Sequence, residues 1–190
     1  MPDTPEITSL RGQRVLLRRW RTSDRPAFAA MNADPRVMEF MMKRLTREES
    51  DAFADRIDAC FAERGYGLWA VEIPDVSPFA GFAGLSPVPA DVPFAPAIEI
   101  GWRLAVEAWG HGYATEAARL ALEHAFTRLG LTEIVSFTAV QNTRSQAVMQ
   151  RIGLGFSGTF PHPRLPEGHP LRPHLLYRIT AEEWRRNQKV

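Results

Sequence analysis

The run Trp109-Gly110-His111-Gly112-Tyr113-Ala114 places two glycines around one histidine, just ahead of an alanine-rich stretch. Glycine loses more conformational freedom on folding than any other residue, so the pair marks a backbone that must turn tightly or approach something closely. At the start of a helix, such a turn exposes free N–H groups at the positive end of the helix dipole. That arrangement binds anions, phosphate most naturally. A plain strand-to-helix turn has the same composition, so the loop alone leaves both open. Two common nucleotide loops are excluded. A dinucleotide fingerprint needs a third glycine where Thr115 stands, and a P-loop needs Gly-Lys followed by Ser or Thr.

Glu99, in "AIEIGW", is the best candidate for proton transfer. It alternates with Ile98 and Ile100 and so takes the opposite face of a strand. A carboxylate on a central strand is uncommon enough to suggest a site. The alternative is a half-exposed carboxylate paired with Arg103, on the same face. Glu72, in "GLWAVEI", is a weaker rival. Asn142 stands where it can cap a short helix. The histidines offer less. His111 lies in the glycine loop and His124 reads as surface. His162, His169 and His174 fall in "FPHPRLPEGHPLRPHLLY", with irregular spacing and no cysteine nearby, so no metal site is expected. That loop is a candidate lining for an acceptor pocket. Trp69 and Phe40 are candidates for the same pocket or for plain core.

The elements that must position these residues read as follows. "RVLLRRW" (14–20) is a strand, and 23–34 a helix with Ser23 as cap and Pro26 in its first turn. Residues 46–65 form a clearer helix: Thr46 and Glu49 have capping-box spacing and Gly65 ends it. Strands follow at 67–73 and 79–86. Six prolines between 74 and 96 exclude a continuous helix or central strand there. Residues 97–104 alternate as a strand. The strongest helix, 112–130, lines Ala114, Ala117, Ala118, Ala121, Leu122, Ala125 and Leu129 along one face, which suggests close packing on a sheet. A strand at 133–140, a short helix at 142–153, a strand at 156–160 and a last strand at 175–180 precede a charged tail. The order implies an α/β mixed sheet: mostly antiparallel and twisted, with one parallel strand pair, flanked by about four helices.

The 190 residues form a single domain, 1–190, of ordinary globular composition, 45% apolar and 24% charged. A net charge of +1 argues for no nucleic-acid partner. Cys60 is the sole cysteine and suits a reducing compartment. "MPDTPEITSL" is polar and acidic, unlike a signal peptide, and no apolar run is long enough to span a membrane. A cytoplasmic protein is expected.

"EIGWRLAVEAWGHGYATEAARLALEHAF" followed by "FTAVQNTRSQAVMQRIGLGF" resembles the GNAT superfamily of acyl-CoA-dependent N-acyltransferases, and within it the RimJ/RimL group. The likeness in element order runs from "RVLLRRW" to "LLYRIT"; its specific part is 98–156. The family's pyrophosphate loop, Gln/Arg-x-x-Gly-x-Gly/Ala, falls on Trp109, Gly110, His111, Gly112, Tyr113 and Ala114. Trp109 departs from Gln or Arg, which costs a side-chain contact but not the backbone cradle. The resemblance implies acetyl-CoA as cosubstrate, with no metal. It also implies a splay between the strands at 97–104 and 133–140, in which the pantetheine arm pairs with main chain around Trp102 to Leu104.

In this family the residue at Asn142 contacts the pantetheine or nearby main chain; a cap alone is the alternative. Many members carry a tyrosine that protonates the departing thiolate. The matching position is Met149, which cannot donate. RimJ/RimL-like proteins instead use a serine at Ser145. Acetyl transfer needs a neutral amine, a stabilised carbonyl oxygen and a departing thiolate. A thiol pKa near ~8.5 makes acid help useful rather than essential. Glu99 as base and Ser145 as donor to the sulfur would meet these needs. The acceptor is expected to be a primary amine, a protein N-terminus or a small molecule, and the protein a monomer or homodimer. A non-catalytic acyl-CoA-binding domain is the alternative.

Overall fold

A computed structural model describes residues 9–188; the opening stretch read above as no signal peptide lies almost wholly outside the described residues, as do the last two residues of the tail. The described chain builds one eight-stranded sheet and five helices. The elements are β1 (Ser9–Arg11), β2 (Leu16–Arg18), α1 (Arg25–Ala33), α2 (Arg47–Arg64), β3 (Leu68–Ile73), β4 (Ser77–Pro87), β5 (Ile98–Leu104), α3 (Tyr113–Thr127), β6 (Glu133–Ala139), α4 (Thr143–Arg151), β7 (Gly155–Pro161), β8 (Pro173–Thr180) and α5 (Ala181–Asn187). The sheet runs β1-β2-β3-β4-β5-β6-β8-β7, antiparallel throughout except for β5 and β6.

Local chemistry accounts for the boundaries. Thr46 and Glu49 form the reciprocal capping box on α2, and Gly65 closes it at φ 73°. The first expected strand is shorter than its apolar pattern and pairs with an extra strand, β1. Ser23 does not cap α1. It lies in a short 3-10 turn, Thr22–Asp24, and Asp24 accepts the Arg21 N–H instead. The charged tail forms α5, capped by Thr180 with Glu183, so the described helices number five rather than about four.

Two faces of the sheet carry different packing. Ala117, Ala118, Ala121, Leu122 and Ala125 of α3 are fully buried, and their small side chains let the helix lie close to β4 and β5. The other face is aromatic: Phe28 of α1 and Phe53 of α2 pack edge-on to Phe82 of β4. Beneath them, Arg18 is held bidentate by Asp24 at 2.8 and 2.9 Å and by Glu72 at 2.6 Å. This buried network joins β2, β3 and the turn before α1. It also removes Glu72 as a candidate base, since that carboxylate accepts from both Arg18 and Arg21.

Candidate functional site

The parallel pair β5–β6 meets at one register position, Glu99 against Val135. The Ser136 hydroxyl donates to the Ile100 carbonyl at 2.8 Å, and past that tie the strands part. The end of β5, from Trp102 to Leu104, therefore borders a cleft of about 1090 Å³. Its other walls are the glycine loop, the first turns of α3, the face of α4 from Asn142 to Arg151, the 36–41 segment between α1 and α2, and the turn at Gly12–Arg14.

The glycine loop opens onto this cleft. Gly110 and Gly112 sit at φ 79° and 81°, where a side chain is strained. A Cβ at Gly110 would meet nothing within 4 Å, so conformation rather than crowding demands glycine there. The N–H groups of Gly110, His111 and Gly112 donate to no protein acceptor among the described residues. With the start of α3 behind them, they form a cradle suited to a pyrophosphate. Trp109 anchors the loop: its indole N–H donates to the Leu104 carbonyl at 2.9 Å, and the Arg144 guanidinium stacks on its ring at 4.2 Å.

Two further groups have chemistry set by their surroundings. Burial pushes the Glu99 carboxyl up to about 8. Among the described residues it has no ion-pair partner; Arg103, on the same strand face, instead donates to Asn32 and Met41. Asn142 caps α4 by accepting the Ser145 N–H, and its amide donates to Thr138 Oγ1 at 2.9 Å and to Ser145 Oγ at 3.1 Å. Both amide hydrogens are thus committed within the protein. Ser145 Oγ accepts one of them, which leaves its own proton free to be donated into the cleft.

Comparison with known proteins decides the family. The profile of the "Acetyltransferase (GNAT) domain" matches residues 14–155. This chain belongs to the GNAT acetyltransferase family. Over 172 residues it is 34% identical to the FsC-acetyl coenzyme A-N(2)-transacetylase of Aspergillus fumigatus, covering 84% of this chain and 70% of that protein. An acetyltransferase structure from Agrobacterium tumefaciens str. C58 is 29% identical, with a TM-score of 0.75 over 91% of this chain and 94% of that one. A GNAT-family structure from Bacillus anthracis, 23% identical, shares the fold at a TM-score of 0.77, over 92% of this chain and 99% of that one.

The cleft of this GNAT domain gathers most of the residues singled out from sequence. Trp102, Leu104, all six residues from Trp109 to Ala114, Asn142 and Ser145 line it. Glu99 does not; it lies further along β5, beyond Gly101. Met149 is buried in the core rather than facing the cleft. Phe40 lines the cleft, whereas Trp69 is fully buried. The 161–174 loop lines none of it: His169 borders a separate hollow of about 550 Å³, and the His162 and His174 rings pack tilted against each other, 4.8 Å between centroids. His124 is buried against Trp69, not on the surface.

Sequence reasoning missed Arg14. Its backbone N–H and side chain bind Glu116 at 2.7 and 2.9 Å, and its Nη1 donates to the His111 carbonyl at 2.8 Å. It pins the glycine loop to the β1–β2 turn and brings a cation to the start of α3. Six arginines and two glutamates line the cleft altogether, a local excess that suits a ligand rich in phosphate.

Proposed function

We propose that this chain, as a single domain over 1–190, is an acetyl-CoA-dependent N-acetyltransferase that acetylates a primary amine by direct attack in a ternary complex. The observation that carries it is the parting of β5 from β6 beside a loop whose N–H groups have no protein acceptor. Open glycine conformations, a basic lining and unengaged N–H groups fit coenzyme A. Acetyl-CoA supplies the acetyl group as a thioester. The N–H groups of 110–114 would hold its pyrophosphate, and Arg14 adds charge at the same place. The freed edge of β5 at Trp102–Arg103 pairs with an extended arm as a strand edge does; the Leu104 carbonyl is already taken by Trp109.

Glu99, as carboxylate, accepts the proton of the amine, directly or through a water. The Ser145 hydroxyl, held through its oxygen by Asn142, offers its proton to the departing sulfur. Asn142 acts by positioning Ser145 and capping α4. The serine at this position supports a place in the RimJ/RimL-like group. The Aspergillus relative's name, which specifies acetyl coenzyme A and an N(2) acceptor, supports both donor and amine. An amine acceptor, a cytoplasmic setting, a monomer or homodimer, and the absence of a metal complete the reading; among the described residues no helix is long and apolar enough to cross a membrane.

The test is calorimetric titration with acetyl-CoA, dephospho-coenzyme A and adenosine fragments on wild type and Gly112→Trp. Micromolar binding that needs the pyrophosphate and is lost in the variant supports the cradle. A wild type that binds none of them refutes it. The position of Glu99 off the cleft lining favours one rival, a domain that binds acyl-CoA without transferring it. Acetyl transfer by wild type, lost in a Glu99→Gln variant that still binds coenzyme A, excludes that rival.

A further inference from the structure

Arg103 lines the cleft, yet among the described residues no acidic group balances its charge. Its guanidinium lies 5.3 Å from the Phe82 ring centroid and 5.9 Å from that of Phe53. Nη1 donates to the neutral Asn32 amide at 2.7 Å and Nη2 to the Met41 thioether at 3.2 Å. Among the described residues no carboxylate pairs with it. Of the two glutamates that line the cleft, Glu116 is spent on Arg14 and Glu123 forms no ion pair with Arg103; nearby, Glu39 is spent on Arg144 and Asp34 on Arg36. A half-buried guanidinium resting against two neighbouring rings loses hydration that a carboxylate normally offsets. Only two of its five N–H donors have protein acceptors, leaving three for a ligand.

The direction of the side chain separates it from the coenzyme's phosphates. Arg103 is the cross-strand neighbour of Phe82, on the face covered by α1 and α2. The glycine loop and α3 start on the opposite face, over Leu104 and Ile100. Glu99, Gly101 and Arg103 share one face of β5, with Gly101 leaving the strand bare between them. We infer that the acceptor carries a carboxylate as well as its amine, and that Arg103 is the residue that binds it. This rests on the acetyl-transfer reading and names the substrate class for it. One uncompensated cation matches one carboxylate; a phosphate monoester brings about 1.5 to 2 negative charges and would be undersupplied. Four steps along the strand separate Glu99 from Arg103 by roughly 13 Å. An amine at Glu99 and a carboxylate at Arg103 therefore belong to a molecule with several bonds between them, longer than an α-amino acid.

The experiment uses the reaction product as probe. N-acetyl-ω-amino acids, from N-acetylglycine to N-acetyl-6-aminohexanoate, and their uncharged primary amides are titrated calorimetrically, with and without coenzyme A. The expected result is at least one longer chain whose acid binds wild type about tenfold more tightly than its amide. Arg103→Gln removes the difference and Arg103→Lys keeps part of it, with thermal unfolding confirming that both fold. Equal affinity within every acid–amide pair in wild type, which needs no variant, overturns the inference. So does a preference that survives Arg103→Gln. Acetyl transfer to the free ω-amino acids is followed in parallel. Failure there, with the acid preference intact and dependent on Arg103, counts against acetyl transfer and not against the carboxylate site.

Discussion

Glu99→Gln separates chemistry from architecture in one substitution, because the amide keeps the shape and loses the titration. Burial holds the wild-type carboxyl at about 8, against an ordinary 4.5. With that pKa, roughly a tenth of the protein carries the carboxylate at pH 7 and about nine-tenths at pH 9. A rate that needs it as base rises about tenfold across that interval. General-base assistance is typically worth about 10²–10⁴-fold, or ~3–5 kcal/mol, so the variant loses that much on the alkaline plateau and about 10–10³-fold at pH 7. The assay is kcat/KM against pH, with an acceptor amine whose own pKa lies below about 6, so that the limb belongs to the protein. Coenzyme A binding is measured alongside. An alkaline limb that persists in Glu99→Gln, or a wild-type midpoint near 4.5, refutes the reasoning. Stability gives an independent check. The folded state keeps the Glu99 proton up to about pH 8, while the unfolded chain releases it near 4.5. Stability contributed by this group is complete below the lower value and is lost as pH rises through the higher one. Melting temperature should therefore fall less in Glu99→Gln than in wild type over that range.

Other expectations follow from the same contacts. Ser145→Ala should lower kcat by about ten- to a hundredfold with KM little changed, since a hydrogen bond to a charged group is worth about 1.5–3 kcal/mol; the α4 cap survives because it uses the Ser145 backbone. Trp109→Phe removes the indole bond to Leu104 and should weaken acetyl-CoA binding about fivefold by calorimetry, on a scale of ~1 kcal/mol per neutral hydrogen bond. Arg18→Met leaves Asp24 unpaired in the interior and should cost about 3–5 kcal/mol in urea denaturation. His124 is held neutral by burial, its pKa below the ordinary 6.5. The unfolded chain takes up that proton as pH falls through 6.5, so wild type should lose melting temperature in acid and His124→Leu should lose less.

Several parts of this arrangement were legible before any coordinates. The capping box at Thr46 and Glu49, the glycine closures and the alanine face of α3 are local signals, and each decides its own element. The glycine loop was legible as a turn that opens onto a cleft because its conformation is set by consecutive residues, Gly110 and Gly112 at positive φ. Other features depend on residues far apart. Nothing near Glu72 announces the guanidinium of Arg18, 54 residues away, that takes its carboxylate. Arg14 reaches the glycine loop across a separation of 97 residues. Net charge concealed the basic cleft because acidic residues elsewhere on the surface balance it. His124 did carry a signal: it lies seven residues after Ala117, two turns along the same buried face, and the period should have outweighed its polarity. The place of β8 was unreadable, because it pairs with β6 at the opposite side from β5 and pushes the preceding strand outward.

That insertion bears on when the cleft can exist. β6 shares a single register position with β5 but a full seven with β8, from Glu133 against Thr180 to Ala139 against His174. During synthesis the wall formed by β6 and α4 can pack on the core through Ile134, Val148 and Met149, but it lacks its main strand partner until residues 173–180 have emerged. A nascent chain ending near residue 155 would hold the glycine loop and Asn142, yet lack the strand that fixes their separation. The last strand works as a latch. Truncation before β8, which also removes α5, should abolish coenzyme A binding while removing no residue that faces the cleft.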